Sequence, residues 1–149
     1  MRRRADGLGG LRGTIRQPSE RITTMGLDMY LTKRSAAAKN EQDEMVAYWR
    51  KANHIHGWFE RNVAYGELEN CEFYPVSFEQ LMSLGITCQL VKANPESASV
   101  LLPRQEGFFF GGSEYDDDYF MDVDDTLEII RKVCDALQDG DELFYHAWW

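Results

Sequence analysis

The sequence predicts an α+β fold: a small, mostly antiparallel sheet of about four short strands, with three helices packed on one of its faces. Three observations carry that expectation. Strand-type and helix-type patterns alternate along the chain, in the order β-α-β-α-β-α-β. The strand runs are short and their connections varied. Pro75 inside one run, and solvent-type alternation in another, argue against strands buried on both faces, as a regular parallel sheet would require.

The first strand is "GLDMYLTK", where Leu27, Met29 and Leu31 alternate with Asp28, Tyr30 and Thr32. After the polar connector "RSAAAKNEQD", a first helix is expected from about Glu41 to Val63. Met45, Tyr48, Ala52, Ile55 and Phe59 form its core stripe, with Trp49, Asn53 and His56 on the border and Arg50, Lys51, His54 and Arg61 in water. "YGELEN" reads as a turn and "CEFYPVS" as a short strand at a sheet edge. Ser77 should cap a second helix, since "SFEQ" sets Gln80 at the third position of a capping box. Leu81, Leu84, Cys88 and Val91 continue its stripe, and Gly85 weakens it by roughly 1 kcal/mol relative to Ala.

"ANPESAS" reads as a loop and Gly107–Phe110 as a strand ended by Gly111 and Gly112. A third helix follows over Asp117–Leu137, with Phe120, Val123, Leu127, Ile130, Cys134 and Leu137 in register. "QDGD" then turns the chain into a terminal strand, "ELFYHAWW". Residues 1–24 hold five Gly or Pro, six Arg and no apolar period. They read as a disordered basic leader, with Met25 a candidate true start and 25–149 a single domain.

Charge is divided between these parts. The leader carries six Arg against Asp6 and Glu20, whereas residues 25–149 carry ten Lys and Arg against twenty-three Asp and Glu, a balance of −13. So acidic a body repels phosphate, which excludes direct nucleic-acid binding through it. No apolar run approaches the ~20 residues that cross a bilayer, so no membrane partner is expected. Cys71, Cys88 and Cys134 form no CxxC and are odd in number, which fits a reduced cytoplasmic protein.

Familiar chemistries find little footing. His54 and His56 are two residues apart, about 200° around a helix, and cannot share a metal ion. "SEYDDDYFMDVDD" lacks the calcium-loop pattern, and its first carboxylates suit a helix N-terminus. "FFFGGSEYDDD" could cradle phosphate only if Arg50, Lys51 or Arg104 folded over it, because four carboxylates oppose an anion there. No nucleophile motif appears, and no cofactor or metal is expected.

The candidate ligand- or partner-binding residues are Asp28, Tyr30, Trp49, Arg50, Asn53, His56, Tyr115, Asp116 and Tyr119. They suit a non-enzymatic binding protein that uses an aromatic sheet face and the first helix's border on a host protein or small ligand. A homodimer through that face would satisfy the same pattern. The alternatives are an acidic mimic of nucleic acid that blocks a DNA- or RNA-binding protein, and a nucleotide-binding or phosphoester-cleaving enzyme using Arg50, His56, Tyr115 and Asp116.

The segments "MGLDMYL" (25–31), "VAYWRKANHIHGWF" (46–59), "NCEFYPVSFEQL" (70–81), "GFFFG" (107–111) and "HAWW" (146–149) resemble a family of small phage, prophage and bacterial proteins of no established activity. The likeness covers residues 25–149. It implies a small accessory protein, encoded by a mobile element, that acts by binding.

Overall fold

The computed structural model describes residues 26–37, 43–107 and 111–149. In chain order these form β1 (Asp28–Arg34), β2 (Glu44–Arg50), α1 (Asn53–Asn62), β3 (Tyr74–Val76), α2 (Phe78–Ala93), a 3-10 turn (Pro95–Ser97), α3 (Ala98–Leu101), α4 (Asp117–Ala136) and β4 (Glu142–Trp148). The four strands make one antiparallel sheet in the order β2-β1-β4-β3, so the architecture is α+β. The leader and all of the strand expected over Gly107–Phe110 except Gly107 lie outside the described residues, and Gly107 is not in a strand.

Alternation assigns the two sheet faces. Met29, Leu31, Ala47, Trp49, Leu143, Tyr145 and Ala147 are buried on the inner face, where each larger side chain contributes roughly 1.5–3 kcal/mol. The helices cover that face. Phe59 of α1 stacks on Tyr145 at 3.9 Å, Trp49 Nε1 donates to Thr126 Oγ1 of α4 at 2.9 Å, and α2 packs against α4.

The expected helix over Glu41–Val63 is half strand. "EMVAYWR" pairs with β1 as β2, and only from Asn53 does the chain become helical. Val, Tyr and Trp favour a pleated surface, and β1 supplies the partner that local periodicity cannot show. Lys51 makes the change of direction with φ of 57° while its N–H still donates to Leu27 O. Several assignments change in consequence. Trp49 is buried on the sheet rather than at a helix border, while Tyr48 and Met45, expected in the core, are exposed. His54, expected in water, is fully buried, because Asn53–Phe59 are enclosed on every side.

Elsewhere the local signals hold. Ser77 caps α2, with Gln80 N donating to Ser77 Oγ and Ser77 N to Gln80 Oε1. Pro75 lies on the edge strand β3. Gly85 does not break α2, which runs unbroken and is buried there against Ile130 of α4. The α4 stripe is shifted in part: Val123 and Ile130 are buried as expected, Tyr119, Thr126 and Val133 join them, and Phe120, Leu127 and Cys134 flank them. "ANPESAS" is not simply a loop, since it holds the 3-10 turn and the start of α3.

Candidate functional site

Eight of the nine candidate residues fall into three places. On the outer face, register sets Asp28 opposite Arg50 and Trp148, and Tyr30 opposite Tyr48 and His146. Asp28 Oδ1 accepts from Tyr48 Oη and, at 2.8 Å, from Arg50 Nη1. Tyr30 packs on Tyr48 at 5.4 Å and on His146 at 4.9 Å, and Phe73 stacks on the same imidazole at 4.1 Å. Met45, Phe144 and Pro75 extend the surface through their pairings with Thr32 and each other. Burial beside Asp28 pushes the Tyr30 hydroxyl up to about 12 and raises that of Tyr48 further, so both remain protonated donors. Tyr48, Phe73, Trp148 and Met45 are each exposed by two-fifths or more on this one face.

The second place centres on Arg104, which was not among the candidates. Its side chain is only 6% exposed. Nη1 donates to Asn53 Oδ1 and His54 Nδ1, both at 3.2 Å, Nε donates to Glu114 O at 2.8 Å, and Nη2 lies 3.6 Å from Asp116. The guanidinium also lies 5.3 Å from the Tyr119 ring centre. Asn53 Nδ2 donates to Gly112 O, and Tyr115 Oη accepts from Arg104 N. Asp116 caps α4, while Tyr119 Oη donates to Leu102 O. Arg104 does fold over the glycine loop, but its fork is occupied by protein acceptors. Asn53, Tyr115, Asp116 and Tyr119 therefore form a bolt between α1, the loop and α4, held by Arg104.

Burial next to this guanidinium lowers His54 to about 3, so the imidazole is neutral. Its Nδ1 accepts from Arg104, which assigns the proton to Nε2, a buried atom with no hydrogen-bond partner among the described residues.

The third place is a cleft of about 780 Å³ on the helical side. His56, Glu60, Arg61, Leu68, Gln105 and Trp149 are among its lining residues. His56 Nδ1 is 2.7 Å from Tyr145 Oη, its ring meets Trp149 edge-on at 5.4 Å, and burial lowers it to about 4. Glu60 Oε1 accepts from Gln105 Nε2 at 2.6 Å and Oε2 from Leu68 N at 2.8 Å. Gln105 can lie there because residue 57 is glycine: a Cβ at that position would be 2.6 Å from Gln105 Oε1.

Of the sequence-derived candidates, Trp49 belongs to none of the three, being buried against Thr126. Gln105 was missed, and Glu60 and Arg104 were not among the nine, although Arg104 was expected as a residue that could fold over the glycine loop. "PRQEG" between helices gave no periodic signal, and only the fold brings it over α1. Among the described residues, no three His, Cys, Asp or Glu side chains converge as metal ligands. No helix among them is long and apolar enough to cross a membrane. No protein-family model, curated protein or solved structure matches the chain.

Proposed function

We propose that this is a binding protein that docks another protein on the open face of its sheet. The observation that carries this reading is the make-up of that face. Tyr30, Tyr48, Phe73, Phe144, His146, Trp148 and Met45 are gathered between one ion pair, Asp28 with Arg50, and the cross-strand pair Arg34 and Glu142. A body with a balance of −13 thus has an aromatic side whose charges are confined to its two ends, Asp28 with Arg50 at one and Arg34 with Asp43 and Glu142 at the other. Interface centres are enriched in Tyr, Trp, Phe and Met and depleted in carboxylates. The likeness to small phage and prophage proteins agrees with an accessory protein that acts on a host component.

The competing readings have less support. A phosphoester-cleaving site needs Arg50, His56, Tyr115 and Asp116 together, yet Arg50 is on the outer face, His56 is under the sheet and the other two surround Arg104. A nucleic-acid mimic needs an unbroken row of carboxylates. Along α4, Lys92 pairs with Asp124 in the N-terminal half, and Arg131 pairs with Glu128 and Asp135 in the C-terminal half, which interrupts the row.

Sedimentation velocity on the 17.3 kDa chain comes first, because a second copy is the alternative occupant. Affinity capture from bacterial extract is then compared between wild type and Tyr48→Glu/Trp148→Glu, with Met121→Glu on α4 as a control of equal charge per site. A protein lost by at least tenfold only in the sheet variant supports docking on this face. Equal recovery by both variants rejects it.

A further inference from the structure

We infer that the cleft between α1, the 102–107 segment and Trp149 is a binding site for a small organic cation, an ammonium or guanidinium carried on an apolar body. The inference is independent of the protein-docking face. Trp148 ends β4 on the outer face, whereas Trp149, the residue after the strand, meets His56 below the sheet.

Size permits a ligand. About 780 Å³ is within the ~300–1,000 Å³ of small-molecule pockets. The walls then select its chemistry. Glu60, Glu67 and Glu106 face the opening against one cation, Arg61, so the cleft has an excess of negative charge. Glu60 is held in one place by two hydrogen bonds, from Leu68 N and Gln105 Nε2, which leaves each carboxylate oxygen a further lone-pair direction. Preorganised acceptors of this kind favour a donor that brings positive charge.

The aromatic wall points the same way. Trp149 is fixed by a reciprocal pair with Asn70, Trp149 N donating to Asn70 Oδ1 and Asn70 Nδ2 to Trp149 O, both at 3.0 Å. An indole face is the strongest aromatic partner for a cation. Leu68 and the neutral His56 ring, 2% and 1% exposed, form the floor beneath, so the partly exposed Trp149 ring is the surface left for the apolar body of the ligand. An anion would meet three carboxylates, and a neutral ligand would leave them without a counter-charge.

The test is a titration of the full chain, labelled with nitrogen-15, with benzylamine hydrochloride. Benzyl alcohol and sodium benzoate serve as neutral and anionic probes of the same shape. Benzylamine should shift the Trp149 indole N–H and the Gln105 side-chain amide saturably, with a Kd of about 1 mM or tighter, while the other two probes leave both signals in place. Glu60→Gln should weaken binding about tenfold. Because Glu60 also holds Leu68 and Gln105, the exposed pair Glu67→Gln/Glu106→Gln is measured alongside and should weaken binding about threefold without altering the rest of the spectrum. A linear, non-saturating response, an equal response to benzoate or benzyl alcohol, or unchanged affinity in the exposed double variant would each overturn the assignment.

Discussion

At the scale of single residues, Arg104 organises more of the molecule than any residue that patterning singles out. One guanidinium satisfies an amide, an imidazole, a backbone carbonyl and a carboxylate around it. Replacing it by Lys keeps the charge but removes the planar fork, so Asn53 and Glu114 lose donors together. We expect Arg104→Lys to cost roughly 2–4 kcal/mol, read as a lower urea midpoint at unchanged slope. A midpoint indistinguishable from wild type would mean that the fork is redundant. Asn53 was legible as an oddity, a poor helix former among large apolar neighbours, and its amide does find partners. His54 was not legible. Its burial depends on the helix beginning at Asn53, a phase set by a strand pairing some twenty residues upstream.

The elements show the same division between local and distant causes. Where a signal is a hydrogen bond within a few residues, such as the Ser77–Gln80 box or the Gly140 turn, the sequence is sufficient. Where partner choice decides, as for β2, a run of Tyr, Trp and Met satisfies both periods and only β1 arbitrates. Gly85 lies between these cases. Its cost to α2 is local, but its environment is tertiary, with a Cβ there lying 3.6 Å from Ile130 Cδ1, an ordinary contact distance. Gly85→Ala should therefore stabilise the protein, by about 0.5–1 kcal/mol, because the methyl fits and the unfolded chain loses freedom. A thermal midpoint that falls instead would show that α2 and α4 cannot absorb the added methyl.

For the whole molecule, acid is the sensitive direction. His54 and His56 are neutral in the fold, lowered to about 3 and about 4, but bind protons near their ordinary 6.5 once unfolded. Between those values the unfolded chain holds more protons, so stability is full above pH 6.5 and declines as pH falls toward 4. Each histidine contributes a slope of about 1.4 kcal/mol per pH unit within its window. Asp122 acts oppositely. Burial raises it to about 6, so its contribution is present at low pH and lost as pH rises, though solvent screening at this partly exposed carboxyl weakens the offset. The net expectation is a falling denaturation midpoint from pH 6.5 to 4.5. A flat profile there, or one unchanged by His54→Gln/His56→Gln, would remove the histidines as its cause. The α+β class itself was legible because it needs only alternation, edge proline and helix stripes. The three-way division of candidate residues was not, since it depends on which strand lies beside which.

The strand order has one further consequence. β4 is the last described strand in sequence, yet it occupies an interior position between β1 and β3, pairing Thr32 with Phe144 across 112 residues. During synthesis the β1–β2 hairpin can close early, but the inner edge of β1 must wait, with its amides unpaired, until β4 has left the ribosome. Folding is thus gated by translation of the very stretch that contains Trp148 and Trp149, and a nascent chain stalled short of it would expose a sticky edge rather than a weakened copy of the product.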